Sequence, residues 1–335
     1  MPELRKDPIL GRWIIISTER AARPMDFITP ERTIAIKRGA CPFCNGGEDM
    51  TPPEIFALRN DNTQPNKPGW RVRVVSNKFP ALRIEGELNK TGDGIYDRMN
   101  GIGAHEVIIE TPEHVVSLGA LSENAVKEVV AAYKYRLNDL KKDKRFIFGM
   151  IFKNVGAIGG ATVEHTHSQL IMLPTVPKLI KEEMNGAEIF YNYHDRCLFC
   201  DMIRQEQDTK SRIVMENDNY IAFCPYASRF PFETWILPLE HETHFEQSPD
   251  EDIPSFAQIL LVTVQKLESI LDNPSYNFVF HTTPFNIQKP EHYHWHLEII
   301  PRLTRVAGFE WGTDFYINPV PPENAAQYLR EQKLK

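Results

Sequence analysis

Fifty-one residues separate His114 from His165, and the same interval separates His241 from His292. Each of these stretches follows its own Cys-x-x-Cys, Cys41/Cys44 before the first and Cys197/Cys200 before the second. Other landmarks keep step. His105-Glu-Val-Ile-Ile-Glu-Thr-Pro-Glu-His114 resembles Phe232-Glu-Thr-Trp-Ile-Leu-Pro-Leu-Glu-His241, and Asn77-Lys-Phe-Pro80 matches Ser228-Arg-Phe-Pro231. Spacing shared across so many points marks a duplicated unit, which must fold twice from one plan. The chain is expected to divide at residue 190. The first unit, 1–190, carries one knuckle and a His-x-His pair, and the second, 191–335, carries the other knuckle.

Within each unit the pattern alternates between short β-rich runs and one amphipathic stretch. Residues 70–76 and 220–223 read as strands, and each Glu-His segment closes another. Val126, Val129, Val130, Tyr133 and Leu137 recur at helical period, so 123–142 reads as a helix with Ser122 as its cap. Its counterpart is about 250–271, with Ser248 as the cap. Two further strands complete each unit, 145–153 with 168–173 and 276–281 with 294–300, and 174–196 is the expected connection. Strands and helices segregated in this way favour an α+β fold with an antiparallel sheet in each repeat.

Composition narrows the function classes. Of 335 residues, 42% are apolar and 25% charged, as in folded globular chains. Thirty-eight basic residues against 45 acidic ones give a net charge of −7, which argues against a nucleic-acid scaffold. No apolar run is long enough to span a bilayer, and the first residues show no apolar signal core. A cytoplasmic location is the expectation. There, Cys-x-x-Cys is either half a zinc site or a redox pair. No strand–helix pattern is evident around either pair, so zinc is preferred, with histidines supplying the missing ligands. Cys224 reads as a small buried apolar residue.

The stretch Asn154-Val-Gly-Ala-Ile-Gly-Gly-Ala-Thr-Val-Glu-His-Thr-His-Ser-Gln169 concentrates the chemistry. Its glycines let backbone N–H groups approach an anion, as phosphate binding requires. His165, His167 and Gln169 alternate along a strand and share a face. One imidazole can bind a metal while another attacks phosphorus. The alternative for the same residues is a structural metal site with a solvated neighbour.

With the Cys-Pro-Phe-Cys knuckle, this stretch resembles the galactose-1-phosphate uridylyltransferase family, the transferase branch of the histidine-triad superfamily. The resemblance runs from Arg20-Ala-Ala-Arg23 to His294-Trp-His. It implies two histidine-triad-like repeats and a covalent nucleotidyl-histidine at His167, with Gln169 holding a phosphate oxygen. Asn154 and Thr162 fall where the family contacts substrate phosphates, Arg20 and Arg23 on its basic N-terminal motif, and Asn77 on a ribose contact. It also implies two zinc ions. The first would be held by Cys41, Cys44, His114 and His165, the second by Cys197, Cys200, His241 and a fourth ligand. Internal spacing favours His292 for that position and the family pattern favours His294, which is the one assigned. His105, His194 and His281 are left outside the active set.

The implied reaction moves a nucleoside monophosphate between a nucleotide sugar and a sugar 1-phosphate. UDP-glucose with galactose 1-phosphate stands first, within galactose metabolism. Two features depart from the uridylyl pattern: His-Thr-His-Ser-Gln at the nucleophile, and Gly308-Phe-Glu-Trp-Gly-Thr-Asp314 near the C-terminus. Both resemble a sister group similar to plant ADP-glucose phosphorylase, so ADP-glucose with inorganic phosphate stands second. A histidine-triad hydrolase and a non-catalytic zinc-binding protein are the rivals. Relatives form homodimers, but no sequence feature fixes oligomeric state.

Overall fold

The computed structural model describes residues 1–17, 23–27 and 41–334. The first half runs β1 (Glu3–Lys6), β2 (Trp13–Ile16), β3 (Glu54–Arg59), β4 (Trp70–Ser76), a small hairpin β5 (Thr91–Asp93) and β6 (Tyr96–Arg98), and β7 (His105–Ile109). It closes with α1 (Glu123–Leu140), β8 (Phe148–Val155) and β9 (His167–Leu173). The helices α2 (Lys178–His194) and α3 (Leu198–Thr209) lead into β10 (Ile213–Glu216), β11 (Tyr220–Phe223) and β12 (Thr234–Pro238). Then follow α4 (Ile253–Ile270), β13 (Tyr276–His281), β14 (His296–Pro301), α5 (Gly308–Thr313), β15 (Tyr316–Asn318) and α6 (Pro322–Glu331).

One ten-stranded sheet runs through both halves in the order β10-β11-β12-β14-β13-β8-β9-β7-β4-β3. Read outward from the centre, each half presents its strands in the same sequence of roles. β8 and β13 meet antiparallel at the seam. Phe152 lies opposite Gln169 and Val279 opposite Glu298, and Phe152 and Val279 also face each other across the seam. A local two-fold axis therefore passes between them.

The stripe expected on α1 is buried to the last residue: Val126, Val129, Val130, Tyr133 and Leu137 all lie in the core. With α4 they cover one face of the sheet, and a single apolar cluster crosses from one half to the other. The Ser122 hydroxyl accepts the Ala125 N–H at 3.2 Å, capping α1 as expected. Ser248 does not cap α4. Its hydroxyl bonds Glu242, and a 3-10 turn at Asp250–Asp252 precedes the helix. The expected connection 174–196 is mostly α2, which packs Ile180, Glu183, Met184 and Ala187 onto the opposite face, and the expected division at 190 falls inside this helix. Among the described residues no helix is long and apolar enough to cross a membrane.

Candidate active site and metal centres

Each knuckle gathers its ligands from four separate places in the chain. Cys41, Cys44, His114 and His165 bring two sulfurs and two ring nitrogens within 4.8 Å of one another, as do Cys197, Cys200, His241 and His294. From zinc–sulfur and zinc–nitrogen bonds of about 2.3 and 2.05 Å, a tetrahedron has S···N edges of about 3.6 Å. The observed Sγ···Nδ1 separations are 3.6, 3.3 and 3.5 Å in the first set and 3.5 and 3.7 Å in the second. Three of the four far ring nitrogens also have partners. His165 Nε2 donates to the Thr111 carbonyl at 2.8 Å, His294 Nε2 to Pro238 at 3.0 Å and His241 Nε2 to Pro290 at 3.3 Å. A proton held on Nε2 leaves the Nδ1 lone pair for a metal, the outer-shell arrangement that metal histidines use. Burial pulls the His165 pKa down to about 4, which keeps it neutral as a ligand must be. The donor sets fit a closed tetrahedral metal site. His292 takes no part through its ring; only its carbonyl approaches Cys197 Sγ, at 3.7 Å. The second knuckle opens a helix, since Cys197 directly precedes α3, but the element leading into it is helix α2 and not a strand. The two imidazoles facing its sulfurs still mark it as a ligand set.

Two residues beyond His165, His167 stands at the start of β9 with the opposite ring polarity. Its Nδ1 donates to the His165 carbonyl at 2.7 Å, so Nε2 carries the lone pair. Burial first, then the nearby Lys153 ammonium, lower its pKa and favour the neutral, nucleophilic ring. Phe43 of the knuckle packs edge-on against His165 and His167, with ring centroids 6.1 and 5.1 Å apart. The metal-binding loop and the strand bearing His167 are thus one packed unit.

A cavity of about 410 Å³ opens beside His167, lined by Phe43, Val75, Asn77, Val107, Thr162 and Gln169 among others. A second of about 290 Å³ lies on the side of Asn154 and Gly156, and His167 borders both. The glycine loop between them turns tightly. A Cβ on Gly159 would sit 2.2 Å from the Val155 carbonyl, and Gly160 has φ of +88°. Asn154 uses its side-chain oxygen to accept from Asn277 at 2.8 Å, tying the loop to the second half. Arg23 is exposed and lines neither cavity, and Arg20 lies outside the described residues. His105, left aside in the sequence, belongs here: its Nε2 is 2.8 Å from Gln169 Oε1 and 3.1 Å from Asn77 Nδ2. The strand register that brings these residues together is the one signal for it.

The second half repeats this geometry with different chemistry. His296 Nδ1 faces the His294 carbonyl at 3.3 Å, as His167 faces His165. Yet His296 is fully buried under Trp235, with ring centroids 4.8 Å apart, and Glu298 stands where Gln169 does. Glu183, His281, His296 and Glu298 gather within 4.8 Å, and Arg229 donates to Glu298. A cavity of about 460 Å³ lies beside this cluster. With its histidine sealed and no glycine loop, it lacks the reactive groups found at His167.

Comparison with known proteins fits this geometry. Residues 1–177 match the model of the galactose-1-phosphate uridyl transferase N-terminal domain, and 183–312 match that of its C-terminal domain. The chain belongs to this family. The uridyl transferase family is one of enzymes, which sets aside the non-catalytic reading. An ADP-glucose phosphorylase of Arabidopsis thaliana is 35% identical over 338 residues, covering 99% of this chain and 93% of the relative. A galactose-1-phosphate uridylyltransferase of Thermotoga maritima is 28% identical over 344 residues, covering all of both. Among solved structures, an Arabidopsis thaliana ADP-glucose phosphorylase with bound ADP-glucose superposes with a TM-score of 0.85 at 33% identity, covering both chains fully. A uridylyltransferase structure gives 0.76 at 26% identity, covering 98% of this chain and 97% of the other.

Proposed function

We propose that this family member transfers a nucleoside monophosphate from a nucleotide sugar to a phosphate-bearing acceptor through His167. The observation that carries the reading is the free Nε2 lone pair, held by the Nδ1 bond to the His165 carbonyl at the mouth of a cavity of nucleotide size. In the first half-reaction Nε2 forms a bond to the α-phosphorus. The bond from phosphorus to the bridging oxygen breaks, and the sugar 1-phosphate leaves with that electron pair. In the second, an oxygen of the acceptor phosphate attacks, the N–P bond breaks and the lone pair returns to Nε2. Gln169, fixed by His105, holds a phosphate oxygen, and Thr162 and the glycine loop receive the remaining charge. Asn77 contacts the ribose, Asn154 lines the sugar-phosphate side and Arg20 supplies positive charge to the phosphates, whereas Arg23, exposed and outside both cavities, is given no contact with them.

Two zinc ions per chain, one in each Cys₂His₂ set, would fix the knuckles to the sheet. The chain is proposed to be two copies of one histidine-triad-like unit, 1–190 and 191–335, of which only the first is reactive. Full-length similarity to uridylyltransferases supports UDP-glucose as donor and galactose 1-phosphate as acceptor. A specific observation favours a second reading, ADP-glucose with inorganic phosphate: the higher identity to the Arabidopsis phosphorylase over the same length. Parallel incubation with the two labelled donors tests both. The nucleotide that labels His167 identifies the donor, and labelling by neither overturns the transferase reading. His167→Ala should abolish turnover with metal content unchanged, and normal turnover in that variant refutes the nucleophile.

A further inference from the structure

Directly behind His167, on the face of the sheet turned away from the knuckle, lies a fully buried ion pair. Lys153 Nζ donates to Glu110 at 2.7 Å, to Thr166 Oγ1 at 2.8 Å and to the His167 carbonyl at 3.0 Å. Glu110 in turn accepts from Thr166 Oγ1, from Ser168 Oγ and from the Tyr133 hydroxyl at 3.0 Å. Every residue from 166 to 168 is thereby gripped from below. Neither Lys153 nor Glu110 has an unsatisfied polar atom. Burial alone would raise the Glu110 carboxyl, but the adjoining ammonium holds it below its ordinary value, as befits a charged pair.

The second half supplies an internal comparison. Counted from its His-x-His pair and across the matching strand register, Thr166 corresponds to Trp295, Ser168 to Leu297 and Lys153 to Phe280. All three are buried apolar residues in the same core cluster. The same strands in the same order thus pack there without a buried ion pair, the one carboxylate on these residues, among those described, being Glu242, which accepts from Trp295 Nε1 at 3.0 Å. Two charges withdrawn from water face a desolvation penalty that an apolar replacement avoids, so stability does not account for the pair. What distinguishes the first half is that its strand carries a histidine bordering two cavities, where the second half has His296 sealed under Trp235.

We propose that Lys153 and Glu110 are positioning residues. They fix the 166–168 backbone, and through the His165 and His167 carbonyls the direction of the Nε2 lone pair, in the line required for attack on phosphorus. The inference rests on His167 as nucleophile. A misplacement of about 1 Å at a reacting atom costs on the order of 10²-fold in rate.

The test is single-turnover labelling of His167 by nucleotide sugar, with donor affinity measured separately. The double variant Glu110→Gln/Lys153→Met removes both charges together and leaves neither one stranded. It should keep its metal content and melting temperature and bind donor within a few-fold of wild type, while the labelling rate falls on the order of 10²-fold. Thr166→Val, which loosens the grip without touching a charge, should lower the same rate several-fold at unchanged affinity. It gives the answer even if the double variant fails to fold. Labelling at the wild-type rate in a folded double variant, or in Thr166→Val, overturns the proposal. So does a loss that appears wholly in donor affinity. Failure of the nucleophile reading is distinguishable, because wild-type His167 would then carry no label.

Discussion

Replacing His294 and His292 one at a time separates two histidines that the sequence left in competition. His294 is fully buried, with Nδ1 3.7 Å from Cys200 Sγ and Nε2 on the Pro238 carbonyl, so His294→Ala removes one of the four proposed metal ligands. His292 offers this site only its carbonyl, which His292→Ala leaves in place. Changing an outer-shell partner of a metal ligand costs about 10- to 100-fold in affinity. Losing a ligand itself is therefore set at no less than about 100-fold, or about 2.7 kcal/mol of folding stability under zinc that saturates the wild type. At roughly 2–4 °C per kcal/mol for a domain of 150–250 residues, the melting temperature should fall by roughly 5–10 °C. Elemental analysis should find one zinc equivalent in His294→Ala and two in His292→Ala. Added zinc should partly restore the melting temperature of the former. Two equivalents in His294→Ala, or one in His292→Ala with the same loss of stability, refutes the ligand set.

Two further outcomes follow from the contrast between the halves. Gln169→Glu copies Glu298 into the reactive half and sets a carboxylate against the substrate phosphate. It should lower kcat/KM by at least about 10²-fold while leaving both metal equivalents bound, as steady-state kinetics beside elemental analysis will determine. Glu298 itself bears on acid stability. Burial would raise its pKa, but Arg229, His281 and His296 together pull it down to about 2. A folded-state value below the ordinary 4.5 stabilises the fold above pH 4.5, and that contribution is lost as pH falls toward about 2. Glu298→Gln should therefore flatten the fall of melting temperature across that window; an unchanged slope would contradict the assignment.

The sequence carried the two Cys-x-x-Cys pairs, the His165/His167 pair and the apolar stripe of α1, because each depends on spacing within one element or one loop. It misplaced what depends on tertiary partners. The expected connection is mostly helix α2, whose apolar face includes Glu183; that glutamate is buried to accept from Tyr293 and His281, about a hundred residues away. His105 had no local signal, since its partner Gln169 lies on another strand. Equal histidine spacing pointed to His292, yet the ring that gathers with Cys197, Cys200 and His241 is that of His294, 53 residues after His241 (294 − 241) where the first half has 51 (165 − 114). A slip of one residue set Glu106 against Glu233, where the strand register puts Thr234. The two glutamates point oppositely, Glu106 toward Arg136 on α1 and Glu233 toward Arg229 beside the 460 Å³ cavity.

The seam between β8 and β13 bears on what half of this chain could do alone. Cut at the seam, each half would expose the unpaired backbone of a buried central strand, and an edge of that kind seeks a partner. Because Phe152 and Val279 sit on the local two-fold, the partner of matching shape for each half is a half like itself. An isolated first half is then a self-pairing species with two copies of His167 in place of one. In the intact chain, covalent linkage fills that edge with a strand whose histidine is sealed. One cavity-lining histidine of this kind per ten-stranded sheet is thus a consequence of how the edge is closed.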